Sequence, residues 1–523
     1  AIIKGGALSN DGKGEFVLSP NTKGQVLVYE RAYQDAEVNP SDVDYVECHA
    51  TGTPKGDKVE LSSMETFFSR YSLGDTDSST HKPLLGSVKS NLGHLLTAAG
   101  MPGMTKAIWA LNEGKIPATI NLSQPIASKN GFFNGEKMPT ETIDWPDKAG
   151  KARTAGVSVF GFGGSNAHLV LQQPTQTVTK TKTRVKARQP LAIVGMDAHF
   201  GSAKDLNEFN RLFATNTTTF RELPAKRWKG INHNKSVMSA LALEQAPMGG
   251  YIEDFSLDFM HFKVPPNEQD CLIPQQLMMM KVADNAAKDA QLSPGSNVAV
   301  LVAMGMELEL HQYRGRVNLA SQIEQSLVAQ GVTLTSAQQE TLCNIAKEGV
   351  ASVAQLNQYT SFVGNIMASR ISALWDFSGP AITVSAEENS VYRCVELAQN
   401  LFQTSDVEAV IIAGVDLAGS VENITLRQHF GPVNTAKLSQ DVSSKVTSNE
   451  SKQLLDNEHW IVGEGAAAFV VKPSSGPDNL AINPQQVYAT IDSIVFENNA
   501  NEQSIIHAAQ MALEQANITV ENF

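Results

Sequence analysis

CHATGTPKGDKVE (residues 48–60) places histidine, threonine and glycine in a polar loop between a short strand-like segment, Tyr45 to Cys48, and a helical stretch beginning at Lys58. Two loops of the same character follow, GSVKSNLGH (86–94) and SVFGFGGSNAH (158–168). Outward from the first loop the spacing predicts strand at Ala1 to Lys4, helix at Gln25 to Glu37, strand at Tyr45 to Cys48 and helix from Lys58. Such alternation points to α/β layers. Between the second and third loops, Leu95, Leu96, Ala98, Ala99, Met101, Met104, Ala107, Ile108 and Leu111 leave no polar face, which predicts a helix buried on every side.

Further along, LAIVGM from Leu191 reads as a buried strand and Leu206 to Phe213 as a helix. ITV at Ile382 to Val384 feeds a helix at Asn389 to Phe402, with Val391, Val395, Ala398, Leu401 and Phe402 on one face. AVIIAGV and AAAFVV add short apolar strands, while Pro224 to Met248 and Gly476 to Gln486 read as long surface excursions. Residues 174–189 alternate Thr and Val with basic residues and offer no apolar face, a linker composition. Lys180, Lys182, Arg184, Lys186 and Arg188 make it a solvated tether or a dock for an acidic carrier domain.

A chain of 523 residues, 42% hydrophobic and 18% charged, has apolar area for several cores. It shows no apolar run long enough to span a bilayer and no N-terminal leader, so a cytoplasmic location is expected. The net charge of −13 argues against a general affinity for nucleic acid or anionic membrane. Cys48, Cys271, Cys343 and Cys394 have neither zinc-like spacing nor the density of a disulfide scaffold, so no metal is expected.

The chain echoes itself. AIIKGGALSND from Ala1 resembles ATIDSIVFENN from Ala489, an offset of 488, and AEVNPSDV from Ala36 resembles ANITVENF from Ala516, an offset of 480. Two related units are implied. The division expected is 1–173 as the back half of one unit, 174–189 as the linker, and 190–523 as the front part of the next, a window on a longer polypeptide.

In order and spacing, the three loops resemble the motifs of the C-terminal half of β-ketoacyl synthases, enzymes of the thiolase fold. The resemblance implies a layered αβαβα architecture built of two ketosynthase-type units. It also implies decarboxylative Claisen condensation, which needs donors for a developing thioester enolate, and two imidazoles can supply them. By resemblance His49 and His94 are that pair, Lys89 orients the region, and Glu60 is its counter-charge. His94 is expected to open the buried helix, where the dipole disfavours imidazolium. Thr51 and Thr53 match threonines that hold the phosphopantetheine arm of acyl carrier protein, and Asn91, Phe160, Phe162 and Gly163 complete the substrate-binding set, with Phe162 as a gate.

The family nucleophile is a cysteine opening a buried helix, in a segment resembling TVDAACAS. No such segment precedes the three loops, and the match puts Cys48 at a strand end beside His49 rather than in that role. In the second unit the corresponding segment reads TVSAEENSV, with Glu388 at the cysteine position. A carboxylate cannot hold an acyl chain as a thioester, and Glu387 and Glu388 are also ordinary helix-start residues.

A ketosynthase unit followed by a cysteine-less relative resembles the ketosynthase and chain-length-factor didomain of bacterial polyunsaturated fatty acid synthases. That resemblance implies a pseudo-dimer of the two units, acyl carrier protein and other synthase domains as partners, and no bound cofactor. It assigns the dimer contact and tunnel floor to LIPQQLMMMKVADNA, MGMELELH and YTSFVGNIMASRIS. A scaffold that binds acyl chains or carrier without condensing them is the alternative, and a coenzyme A thiolase a more distant one.

Overall fold

A computed structural model describes residues 1–16, 18–71, 82–146, 150–174, 189–215, 217–243, 245–264, 272–305, 311–350, 361–431, 433, 460–474, 487–499 and 501–519. The linker between its two end residues, the excursion at Gly476 to Gln486, and parts of MGMELELH and YTSFVGNIMASRIS lie outside the described residues.

The first unit runs β1 (Ile2–Asn10), α1 (Thr22–Ala36), β2 (Tyr45–Glu47), α2 (Pro54–Phe68), β3 (Leu84–Gly86), the single turn α3 (Lys89–Leu92) and α4 (Gly100–Glu113). It ends with the short pair β4 (Lys115–Ile116) and β5 (Ile143–Asp144), then β6 (Thr154–Gly161) and β7 (Ser165–Gln172). α2 starts four residues before Lys58 because Pro54 supplies a preset φ at the first helical position, where its missing N–H costs nothing. Successive side chains of a strand face opposite ways, so β2 sends Val46 to a cluster with α1 and α2, and Tyr45 to one with α4. The sheet is thereby covered on both faces.

The second unit follows the same plan. Its elements are β8 (Leu191–Phe200), α5 (Leu206–Thr215), β9 (Arg221–Glu222), α6 (Lys235–Ala240), β10 (Met248–Gly250), α7 (Pro274–Asp289), β11 (Val298–Met304), α8 (His311–Ala329) and α9 (Ser336–Val350). There follow α10 (Gly364–Trp375), β12 (Ala381–Val384), α11 (Ser390–Thr404), β13 (Ala409–Leu417), α12 (Val421–Phe430), β14 (Val462–Pro473), β15 (Ala489–Ile491) and α13 (Glu502–Ala516). β11 is buried along its whole length, with Val298, Val300 and Val302 against α7 and α10, and Ala299, Leu301 and Ala303 against α11. A strand covered on both faces reads as an unbroken apolar run.

Strand order carries the duplication. The first sheet runs β1-β7-β6-β2-β3, and the second contains β8-β14-β13-β11-β12. In each, the last three strands are parallel neighbours and the first two join antiparallel. The echo at the chain's end has a structural form too. α1 and α13 are both fifteen residues long, both capped by an asparagine (Asn21, Asn501) whose side chain accepts a backbone N–H, and both stopped after an alanine by a left-handed residue (Glu37, Asn517). The two strands of that echo differ in partner, β1 pairing with β7 and β15 with β8.

Two expectations are corrected. Leu95 to Leu111 is not one helix buried all round: the chain makes a 3₁₀ turn at Leu96–Ala98 before α4, and only Gly103, Ala107, Ala110 and Leu111 of α4 are buried. Met101 and Trp109 are 65% and 71% exposed, so an apolar flank of α4 is uncovered among the described residues. Pro224 to Met248 is no surface excursion. Leu223, Trp228, Met238 and Leu243 form a small core there, and Arg227 grips the buried Glu464 of β14 with both guanidinium nitrogens. Its apolar residues follow neither a helical nor a strand period, which hides the core from a periodicity argument.

β8 and α7 pack without clearance. A Cβ on Gly195 would lie 2.5 Å from the Ala286 carbonyl oxygen and 2.6 Å from Ala290 Cβ. Gly195→Ala is expected to cost about 2 kcal/mol, since backbone on both sides must move, and to lower the urea midpoint accordingly.

The units touch through the glycine turn of the third loop. Ser165 Oγ donates to the Ala381 carbonyl at 3.0 Å and accepts from Asn365 Nδ2 at 3.0 Å, while Arg31 of α1 donates to the Ser378 carbonyl and to Asn297 Oδ1.

Candidate active site

The three loops converge because β2, β3 and β6 are parallel neighbours and each loop leaves a carboxyl end of one of them. A crevice at the carboxyl ends of parallel strands is where α/β folds place ligands.

His49 stands two residues beyond the end of β2. Its backbone N–H donates to Glu60 Oε1 at 2.7 Å and the N–H of Ala50 donates to Glu60 Oε2 at 2.8 Å, so one carboxylate from α2 fixes the loop. Ala50 is held at φ 29, a region L-residues rarely adopt. The His49 and His94 rings stand edge to face with centroids 5.3 Å apart, and the Phe160 ring lies tilted 5.6 Å from His49.

Both imidazoles are held neutral. Burial, then Lys89 and His94, push His49 down to about 3. Burial and Lys89 also lower His94. His94 does not open α4, which starts six residues later at Gly100, so its neutrality owes nothing to that helix dipole. Its Nδ1 accepts the Leu96 N–H at 3.0 Å, which leaves the proton of the neutral ring on Nε2 as a donor. His49 Nδ1 is buried with no hydrogen-bond partner among the described residues.

Glu60 is fully buried, and burial raises it to about 7 against the two N–H bonds it accepts. Lys89 is lowered by its own burial, with Glu60 the largest opposing influence. Among the described residues no direct ion pair joins them. Glu60 is thus first a clasp for the His49 loop, and it acts on Lys89 through space.

Thr51 and Thr53 are exposed, with their hydroxyls 2.9 Å apart. Asn91 is exposed on α3, and Phe162 is 61% exposed at the tip of the glycine turn. Gly163 (φ 84) and Gly164 (φ 78) need glycine's freedom. A Cβ on the first would strike Ser369 of α10, and on the second would lie 2.5 Å from Asp11 Cβ. Glu388 is exposed in a 3₁₀ turn just before α11, far along the chain from the imidazoles. Together with Glu387 it edges a cavity of about 760 Å³ at the carboxyl ends of β11 and β13, whose walls include Met304, Val391, Val415 and Phe469.

Sequence reasoning missed Asp57 and Glu47. Burial raises Asp57, with the backbone N–H groups of Gly52, Thr51 and Thr53 the largest opposing influence, so its carboxyl faces the threonine turn; an acidic residue in the first turn of a helix was its signal. Cys48 is buried, its Sγ 3.6 Å from the Val46 carbonyl, and burial with Glu60 and Glu47 nearby drives its thiol far up. It cannot serve as a thiolate.

Residues 188–476 match the family described as Beta-ketoacyl synthase, N-terminal domain, and residues 1–123 match Beta-ketoacyl synthase, C-terminal domain; residues 132–217 match the Ketoacyl-synthetase C-terminal extension. The chain is 33% identical over 510 residues to a polyunsaturated fatty acid synthase component of Thraustochytrium sp., a match that covers 95% of this chain and 23% of that protein. It is 36% identical over 201 residues to a phenolphthiocerol/phthiocerol polyketide synthase component of Mycobacterium tuberculosis, 38% of this chain and 9% of that one. Among solved structures it is similar to the PfaC keto synthase-chain length factor, with a TM-score of 0.89 and 68% identity over 99% of this chain. The chain spans about half of that structure's length (52%) and under a quarter of the Thraustochytrium protein. With the C-terminal domain match on the imidazole-bearing unit and the N-terminal domain match covering more than half of the residues, the chain belongs to the β-ketoacyl synthase family.

Proposed function

We propose that the first unit houses the decarboxylation site of a β-ketoacyl-[acyl carrier protein] synthase in polyunsaturated fatty acid biosynthesis. The observation that carries this reading is the pair of neutral imidazoles set edge to face 5.3 Å apart at the carboxyl ends of parallel strands. His49 and His94 donate N–H to the carbonyl oxygen of a malonyl thioester. The bond to the carboxylate breaks, carbon dioxide leaves, and its electron pair forms the enolate that the two donors stabilise. The enolate carbon then attacks an acyl thioester on a cysteine; a carbon–carbon bond forms and the cysteine leaves as thiolate. Cys48 is too buried to be that cysteine, and in the second unit Glu388 occupies the equivalent place.

Thr51 and Thr53 offer exposed hydroxyls to the phosphopantetheine arm of acyl carrier protein, and Asn91, Phe160, Phe162 and Gly163 line the substrate's approach. The second unit acts as a non-condensing partner that limits acyl length, a reading supported by the name of the similar PfaC structure and by the turn of Ser165 leaning on β12. Residues 1–173, 174–189 and 190–523 are the corresponding unit, linker and unit. No described helix is long and apolar enough to cross a membrane. We place the assembly in the cytoplasm, with other synthase domains as its neighbours.

The test is extension of an acyl chain from radiolabelled malonyl-carrier by the full-length protein, native against Glu388→Ala. Turnover by the native protein, with Glu388→Ala within about twofold of it, is expected, because an exposed carboxylate in the second unit lies outside the chemistry. Absence of both condensation and decarboxylation with every carrier tried would replace this reading with that of a binding scaffold.

A further inference from the structure

Beneath the His49 and Lys89 loops lies a buried charged pair that the chemistry above does not use. Glu47 ends β2, two residues before His49, and its side chain is 2% exposed; that of Lys106, on α4, is 9% exposed. The ammonium stands 2.9 Å from Glu47 Oε2 as an ion pair, off the line of a hydrogen bond, and 5.6 Å from the centre of the Tyr45 ring. Tyr45 donates its hydroxyl to the same oxygen at 2.5 Å. The other oxygen accepts the N–H of Val88, the residue before Lys89, at 2.5 Å. α4 approaches this closely because Gly103 has no side chain: a Cβ there would stand 3.1 Å from Glu47 Cγ.

One carboxylate therefore joins the strand that leads to His49, the loop that carries Lys89 and the helix that follows His94. Burial of such a pair is a poor device for stability alone, since apolar side chains of the same volume hold a helix on a sheet as well. Apolar side chains could not bind the Val88 N–H or fix three segments to one point.

We propose that Glu47, with Lys106 and Tyr45, is a positioning residue for the two-imidazole site, setting the Lys89 loop and the start of α4 against the end of β2. This deepens the function proposed above and rests on it. The test is steady-state decarboxylation of malonyl-carrier by the full-length protein as Glu47→Gln, Lys106→Met and the double variant, beside His94→Ala. Each single variant is expected to lower kcat about 10- to 100-fold with KM within about twofold, the scale of a small misplacement. The double variant is expected to fall no further than the worse single, because both break one device.

The pH–rate profile separates misplacement from loss of folded protein. An unfolded fraction scales the profile without moving it. Release of the Lys89 loop moves the acidic limb to higher pH, since Lys89 adds to burial in keeping His49 neutral, with His94 the lesser neighbour and Glu60 held to the backbone N–H of His49. Native kcat and an unmoved profile in both single variants, with His94→Ala inactive, would overturn the positioning role and leave the site intact. A fall in kcat with an unmoved profile would overturn it too. Native turnover by His94→Ala would remove the site reading and this inference with it.

Discussion

His94→Ala in the full-length protein is expected to reduce decarboxylation of malonyl-carrier about 10²- to 10³-fold, read as release of labelled carbon dioxide. The magnitude is that of removing one donor from a preorganised oxyanion site. His94 keeps its Nε2 proton because the Leu96 N–H occupies Nδ1, so an alanine removes the one group at that position able to donate into the cleft. His49→Ala is expected to lose a comparable factor, and the double variant less than the product of the two, because the imidazoles act on one oxygen. Native His49, held near 3, stays a neutral donor across the physiological range, so its own protonation imposes no fall in rate between pH 5 and 8. His94→Gln, which restores an N–H without a titratable ring, is expected to recover part of the rate.

Glu60→Ala is expected to lower stability by about 2–6 kcal/mol, because two N–H groups, of His49 and Ala50, lose their acceptor in a partly buried place at roughly 1–3 kcal/mol each. The loop then has nothing to hold Ala50 at positive φ, and decarboxylation should fall with it. The pH dependence is specific. Glu60 sits at about 7 in the folded protein, above its ordinary 4.5, so its contribution is fully present below about 4.5 and is lost as pH rises through 7. Asp11, also raised to about 7, has the same sign. His49 and His168, lowered to about 3, have the opposite one: their contributions are full above 6.5 and are lost as pH falls toward 3. Subtracting the urea midpoints of Glu60→Gln from native at pH 5 and pH 8 isolates the Glu60 share. The native advantage should be larger at pH 5.

The layered fold and the identity of the loops were legible because they rest on local facts: apolar runs of strand length, glycine and threonine between them, and motif spacing. What covers an apolar segment was not. Leu96, Met101 and Trp109 announce a need for cover, and periodicity cannot say whether the same chain meets it. The helix start was misjudged for a related reason. GHLLTAAG looks helical in composition, yet Gly93 at φ 76 and Leu96 at φ 49 break the backbone, and His94 lands in a turn instead of on a helix end. Glu47 was invisible for a third reason: a carboxylate between Val46 and Cys48 gains meaning only when Lys106 and Val88, distant in sequence, arrive beside it.

The shared strand order of the two units bears on how the sequence can drift. The glycine turn of the first unit leans on α10 and β12 of the second, through Ser165, Asn365 and the Ala381 carbonyl. Frame and chemistry are thus under separate constraints in the second unit. Positions such as Glu388, at the mouth of a cavity, are free to vary in charge and size, whereas Asn365, Ser369 and Ala381 answer to a neighbour's site and are not. A copy that has given up its own reaction remains bound to its sister's geometry, and mutational tolerance in the second unit should map as a permissive cavity rim beside an intolerant contact face.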